Sequence, residues 1–349
     1  MKLMSVSSVP ECSRRAFLKS LALGGVGVLS SFPVSCRNRS VLSEESTFIA
    51  RASDYDAPLS DVLFRGLKEI GVGEKEIKGK RILLKPNLVE PHIGSAHINT
   101  HPAVVRALNE VLLRLGASSV VVGEGAGHQR DFYRMLEESG YADMLVDEHI
   151  PFVDLNNAGV GAVQNQGRRT RLGAFLIPQI VLDADMIVSV AKMKTHHWAG
   201  VTLSMKNMFG IMPGAFYGWP KNVLHYAGIH ESICDIYATI RPHLAVVDGI
   251  VGMEGDGPIM GTVKKAGVLV VGRNFPAVDA TCARIMGVDP EKIPYLKESS
   301  GWLGAVREIL IPQRGEAIVS VRTDFELLDK IPAHRELRLL PSQPMKKFF

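Results

Sequence analysis

The chain has 349 residues, 46% of them hydrophobic and 22% charged, with a formal net charge of +4. That composition excludes a disordered or low-complexity chain, and the length suits one large domain or two lobes. Residues 1–35 carry Lys2, Arg14, Arg15 and Lys19 against Glu11, so most of the excess charge is N-terminal; with 7% aromatics and no basic run interleaved with rings, nucleic acid is not an expected partner.

The first element is an address. "SRRAFLKSLALGGVGVLSSFPVSC", residues 13–36, places Arg14 and Arg15 before Phe17, Leu18 and Lys19, then a short glycine-containing apolar stretch. It resembles a twin-arginine export signal, and its apolar part falls short of the roughly 20 residues that span a bilayer. Residues 1–35 are read as this signal, with the twin-arginine export machinery as a partner and the periplasm or envelope face as destination. Cys36 follows Ser35 as in a lipoprotein box, although Pro33 departs from the usual aliphatic residue. Lipidation there would give a membrane tether without a span. Residues 36–46, "RNRSVLSEES" with Cys36 before it, form a polar linker, and residues 47–349 form the folded part.

Strands and helices then alternate. "TFIARA" predicts a strand. Residues 58–70 predict a helix stopped by Gly71, and "RILLKPN" a strand ended by Pro86. "HPAVVRALNEVLLRLG" predicts a helix with Pro102 in its first turn, Thr100 or His101 as cap and Gly116 as stop. "SSVVVGEGAG" predicts a buried strand and glycine turn, followed by a helix through Phe132, Met135 and Leu136. "PFVDL" predicts a strand, residues 156–172 a basic loop, "DMIVSVA" a buried strand and "VTLSMKNMFG" a helix. Ile229, Ile233, Ile236 and Ile240 share a helical face ended by Pro242. "LAVVDG" and "AGVLVVG" predict strands, and "FPAVDATCARIMG" a helix. The tail after Val321 reads as irregular or antiparallel. Continuous apolar strand runs point to an α/β fold: a mainly parallel, doubly wound, Rossmann-like sheet with helices on both faces, in one or two lobes.

In such sheets function collects at strand ends. "LLKPN" places Lys85 and Asn87 there, suited to a phosphate or carboxylate. "GEGAGH" lacks the full dinucleotide spacing, and Glu124 between its glycines would repel a pyrophosphate, so it reads as a glycine turn aiming Glu124 into a cleft. His92, His97 and His101 are metal-like in type, but Pro102 starts the helix between turns and breaks their pairing. Asp248 ends a strand, and Glu254 and Asp256 follow in a glycine loop that lacks the Walker ending. They read either as holders of a divalent cation or acid–base groups, or as acids facing water on a mobile loop. "SVAKMKTHHWAGVTLSMKNMFG" carries Lys192, Lys194, His196, Lys206 and Asn207. If extended, Lys192, Lys194 and His196 share a side, where lysines can surround an anion and His196 can move a proton or bind metal. Only Cys234 and Cys282 remain after the signal, too few for a self-contained cysteine-ligated iron–sulfur cluster. They read as buried small hydrophobes, with one disulfide as the alternative.

With "KPN", "THPAVVRAL", "GEGAG", "KMKTH", "SMKNMFG", "DGIVGMEGDGP" and "AVDATCARIMG" in order, residues 47–349 resemble family 362 of the domains of unknown function. The resemblance implies an α/β fold and no particular reaction. Some relatives carry iron–sulfur modules, whose cysteines this chain lacks. The expected function is that of an exported enzyme acting on a small anionic molecule, with Lys85, Lys194 and Lys206 on the anion, His196 transferring a proton or ligating metal, and Glu254 and Asp256 as the carboxylate half. The other readings are a membrane-tethered ligand-binding lipoprotein, or a redox accessory protein using a partner's iron–sulfur cofactor.

Overall fold

The computed structural model describes residues 44–128 and 131–340; the twin-arginine-like segment, Cys36 and most of the linker lie outside the described residues. The strands, in chain order, are β1 (Thr47–Arg51), β2 (Arg81–Pro86), β3 (Ser119–Glu124), β4 (Phe152–Asp154), β5 (Val160–Gln164) and β6 (Ala174–Pro178). They continue with β7 (Met186–His196), β8 (Gly200–Thr202), β9 (Leu244–Glu254), β10 (Thr262–Lys264), β11 (Val268–Gly272) and β12 (Gln313–Gly315).

Among the described residues, ten strands form one sheet in the order β12-β1-β11-β9-β7-β2-β3-β4, with β8 on β7 and β10 on β9. From β9 to β4 every neighbour is parallel, while β11 runs antiparallel to both β9 and β1. The apolar runs are continuous because both faces are covered. Ile82, Leu84, Val188, Val190, Leu244 and Val246 pack with the helices Leu59–Glu69 and Pro102–Arg114. The intervening Leu83, Ile187, Ala191, Ala245 and Val247 pack with the helices Ile229–Ile240 and Phe275–Ile285. Strand alternation thus splits each run between two cores.

The helix Pro102–Arg114 starts and stops as its sequence dictates. His101 accepts from Ala103 N at 3.2 Å through Nδ1, Pro102 occupies the first turn, and Gly116 turns the chain at φ 87°. Thr100 does a different job: its hydroxyl donates to Val190 O at 2.7 Å, tying the loop after β2 to β7.

Two expectations change, and one alternative closes. Residues 156–172 are not all loop: β5 and β6 pair as an antiparallel hairpin, whose connection is pinned by Asp235 accepting from Asn165 Nδ2, Arg169 N, Thr170 N and Thr170 Oγ1. "VTLSMKNMFG" is not one helix. Gly200, at φ 80°, folds the chain back so that β8 pairs with β7, and only then come a single turn, Ser204–Asn207, and a 3₁₀ turn, Met208–Ile211. Finally, Cys234 and Cys282 are free and buried, so the disulfide alternative is not formed.

The chain order places a cleft. β2, β3 and β4 step outward in one direction, and β7 then returns to the other side of β2. Connections leave the carboxyl ends of β2 and β7 in opposite directions, which opens a crevice between them.

Candidate functional site

Two buried ion pairs sit on the sheet, one at the ends of β2 and β3 and the other midway along β7 and β9, since β9 runs on past Asp248 to Glu254. Lys85, on β2, donates to Glu124 Oε2 at 2.6 Å, Pro86 O at 2.7 Å and Asn207 Oδ1 at 2.9 Å. Glu124, at the end of β3, also accepts from Leu88 N and Gly125 N. Burial pushes the Lys85 pKa down and that of Glu124 up, while their contact opposes both shifts. Three acceptors match the three N–H bonds of an ammonium, and two backbone donors match a carboxylate, so the hydrogen bonding favours the charged pair. Asn207 completes the cluster by donating to Lys85 O and Ser189 Oγ. Gly210 crosses directly over the pair, where a Cβ would meet Glu124 Oε1 and Lys85 Nζ.

The second pair joins β7 to β9. Lys192 donates to Asp248 at 2.7 Å, Tyr55 OH at 3.0 Å and Val251 O at 2.9 Å. Asp248 also accepts from Tyr55 OH, His101 N and Ile250 N. Both side chains are fully buried.

At the crevice lies a cavity of about 330 Å³, whose walls include Lys85, Asn87, Glu124, His196, Lys206, Asn207 and Lys221. Lys206 projects from the single turn after β8 and lies 3.9 Å from the Phe209 ring centroid. Among the described residues it has no carboxylate or amide partner. Burial, then the charges of Lys85 and Lys221, pull its pKa down to about 7. Lys221, held at φ 71°, bonds Asn156 Oδ1, and burial lowers its pKa to about 8.

Two further wall groups lack partners. Asn87 is tethered through Nδ2 to Asn207 Oδ1 at 3.2 Å, which leaves its Oδ1 as an acceptor with no donor. Thr202 Oγ1 is buried and likewise unpartnered. Such groups cost free energy unless something pairs with them.

The histidines are held neutral. His196 Nδ1 accepts from Trp198 N at 3.0 Å and Ala199 N at 3.2 Å, so the ring proton belongs on Nε2. Burial, reinforced by Lys206, keeps its pKa well below the usual range. His225 donates Nδ1–H to Lys221 O at 3.0 Å, and burial lowers its pKa to about 4.

Several expected residues sit elsewhere. Lys192 and Asp248 are engaged with each other on the opposite face of the sheet from Lys85, because Lys192 follows Val188 and Val190 while Lys85 follows Leu83. β7 runs unbroken to His196, and the pairing irregularity lies in β9, which advances from Asp248 to Met253 while β7 advances from Lys192 to Lys194. Even so, of Lys192, Lys194 and His196 only His196 lines the cavity. Lys194 is sealed inside, donating to Ile98 O at 2.8 Å and Pro258 O at 3.3 Å. Burial and the neighbouring lysines push its pKa well below normal, and two carbonyls suit a neutral amine. Glu254 and Asp256 do not form the acidic half of this cavity. Glu254 pairs with Lys264 at 3.0 Å and caps Glu326 N at 2.8 Å, and Asp256 reaches Lys330 at 3.9 Å, so both face the C-terminal segment. Among the described residues, no group of three or more His, Cys, Asp or Glu is arranged to hold a metal ion. The histidines at positions 92, 97 and 101 share no such geometry, and His101 instead stacks on Tyr55 at 3.7 Å.

Residues 82–284, more than half of the chain, match the family described as Domain of unknown function (DUF362). The chain belongs to the DUF362 family. The DUF362 segment runs from β2 almost to the end of the helix Phe275–Ile285, and so contains every cavity residue named above. Over 278 residues the chain is 27% identical to a thylakoid-associated protein of Synechocystis sp., a match covering 77% of this chain and 83% of that one. Among solved structures it is similar to the lactate racemase apoprotein from Thermoanaerobacterium thermosaccharolyticum, with a TM-score of 0.42 and 16% identity over 70% of this chain. A Thermotoga maritima protein gives a TM-score of 0.36 and 12% identity over 67% of this chain. The chain spans 59% of the length of each of these two structures.

Proposed function

We propose that this DUF362 protein is an enzyme that binds a small anionic molecule in the switch-point cavity. The carrying observation is three groups that line the cavity together: the Lys206 amine, which meets the Phe209 ring but no carboxylate or amide, the unpartnered Asn87 acceptor and the unpartnered Thr202 hydroxyl. A ligand with an anionic group for Lys206 and a hydrogen-bond donor for Asn87 would satisfy them together.

The roles shift from those expected at the strand ends. Lys221 and protonated Lys206 would hold the anion, while Lys85, Glu124 and Asn207 form a rigid floor. Lys206, with its pKa near 7, is the group suited to proton transfer at neutral pH. His196 offers an Nε2–H donor and not a base, since its Nδ1 lone pair is taken by backbone N–H groups. Titration calorimetry of the full chain with inorganic phosphate and with acetate tests the binding: Lys206→Gln should weaken both by tenfold or more. Equal affinities in the two proteins would sink the assignment. NMR-monitored turnover of a panel of small carboxylates and phosphates then separates an enzyme from a binding protein, because a ligand that binds and is never transformed supports the latter.

Export is part of the same proposal. Its support is the S-R-R-x-F-L-K pattern ahead of Cys36, and a relative described as thylakoid-associated is in keeping with a membrane-surface location. Among the described residues no helix is long and apolar enough to cross a membrane. Replacing Arg14 and Arg15 with lysine should leave the protein in the cytoplasmic fraction, and Cys36→Ala should release it from membranes if a lipid is attached there.

A further inference from the structure

The cavity does not end at its lysines. Its outer wall, His197, Trp198 and His225, is also the inner wall of a second hollow of about 830 Å³. That hollow is also lined by Tyr226, Ile229, Ile331 and Pro332, with Lys330 and Asn222 as its other polar groups besides His230. A phosphate or acetate fills only a fraction of the two volumes together.

The shared wall is aromatic. Trp198 meets His197 edge-on at 4.7 Å and His225 edge-on at 5.0 Å. Burial lowers the pKa of both histidines, so at neutral pH their rings present uncharged faces. Trp198 is 51% exposed and Tyr226 90% exposed. Large aromatic faces left open beside a binding cavity are an uncommon arrangement, and they favour flat apolar partners. At the groove wall, His230 Nδ1 is buried without a partner.

Resting on the anion-binding reading above, we propose that the ligand is an amphipathic anion. Its carboxylate or phosphate sits at Lys206, and a flat apolar body passes Trp198 into the groove beside Tyr226. The length of the two hollows gives the ligand both ends: charge inside, where Lys206 and Lys221 converge, and apolar surface outside.

The test compares matched probes on the full chain by calorimetry: acetate with 2-naphthylacetate, and inorganic phosphate with 2-naphthyl phosphate. In at least one pair the naphthyl compound should bind tenfold or more tightly than its small partner. Trp198→Ala should remove most of that gain. Tyr226→Ala, which touches only the groove, should weaken the naphthyl probe several-fold and leave the small anion unchanged. Small anions that bind through Lys206 with no gain from the naphthyl group, or a gain untouched by both aromatic substitutions, would overturn this proposal while leaving the anion reading intact. A naphthyl probe that binds equally well to Lys206→Gln would overturn both.

Discussion

Lys85 and Glu124 are the most consequential pair in the site, because each is 1% exposed and each makes the other tolerable. Glu124→Gln strands a buried ammonium, and urea denaturation should show a loss of about 3–5 kcal/mol. Adding Lys85→Met removes the orphaned charge, so the double variant should recover much of that loss while forfeiting the floor of the cavity. Lys206 makes the opposite case. Its ammonium is needed to hold an anion, yet its pKa is about 7. Affinity should therefore weaken as pH rises above about 7, approaching tenfold per pH unit. Lys206→Arg keeps its charge over that range and should flatten the profile until Lys221 titrates near pH 8. Calorimetry between pH 6 and 9 would show whether the slope follows this side chain.

The turn Ser204–Asn207 carries both Lys206 and Asn207, and it is too short to stand by itself. Asp279, from the helix Phe275–Ile285, supplies what it lacks by accepting from Ser204 N at 2.8 Å, Met205 N at 3.1 Å and Ser204 Oγ. Asp279→Ala should cost about 2–3 kcal/mol in a thermal or urea melt and loosen phosphate binding, although no ligand reaches that carboxylate. Gly210→Ala should lose anion binding in the same calorimetric assay, since the added methyl displaces Lys85 or Glu124. These two positions show where sequence reading stops. Lys85, Asn87, Glu124 and His196 can be placed near strand ends from strand boundaries alone, and Lys206 and Asn207 on the helical segment that follows. Lys221 and His225 come from connections with no such pattern, and only folding brings them to the cavity, with Asn156 holding Lys221 from behind the wall. Conversely, Lys192, Lys194 and Asp248 are read at or near strand ends, yet β7 and β9 run on past them: alternation turns Lys192 and Asp248 to the other face, and Lys194 is buried against Ile98 O and Pro258 O. The hairpin β5–β6 escapes notice because β5 is half-exposed; β6 buries Phe175 and Ile177 in the core, and Asp235 pins the connection between the two.

For the molecule as a whole, the alternating strands and helices and the unbroken apolar runs were enough to indicate a two-faced parallel sheet. They could not reveal that β11 runs against its neighbours, because its five residues are as buried as any parallel strand. The buried lysines give the whole fold a pH signature. Lys194, Lys206 and Lys221 all have folded pKa values below the ordinary value of 10.5. Between pH 8 and 9 the unfolded chain holds protons that folded Lys206 has largely released and folded Lys221 is releasing, so stability rises with pH in that window. Its contribution is lost as pH falls through each folded value. Melting temperatures in a non-anionic buffer should climb from pH 7 to 9, and Lys206→Met should shrink the climb.

Cys234 and Cys282 are each 0% exposed and unpaired, and burial raises both thiols above their ordinary pKa. The thiolate is the nucleophile that attacks oxidants and disulfides, so both sulfurs are chemically quiet in the folded state. The folded unit is therefore indifferent to the redox potential around it. Among the described residues there is no disulfide to lose in a reducing compartment and no thiol poised to form one in an oxidising compartment.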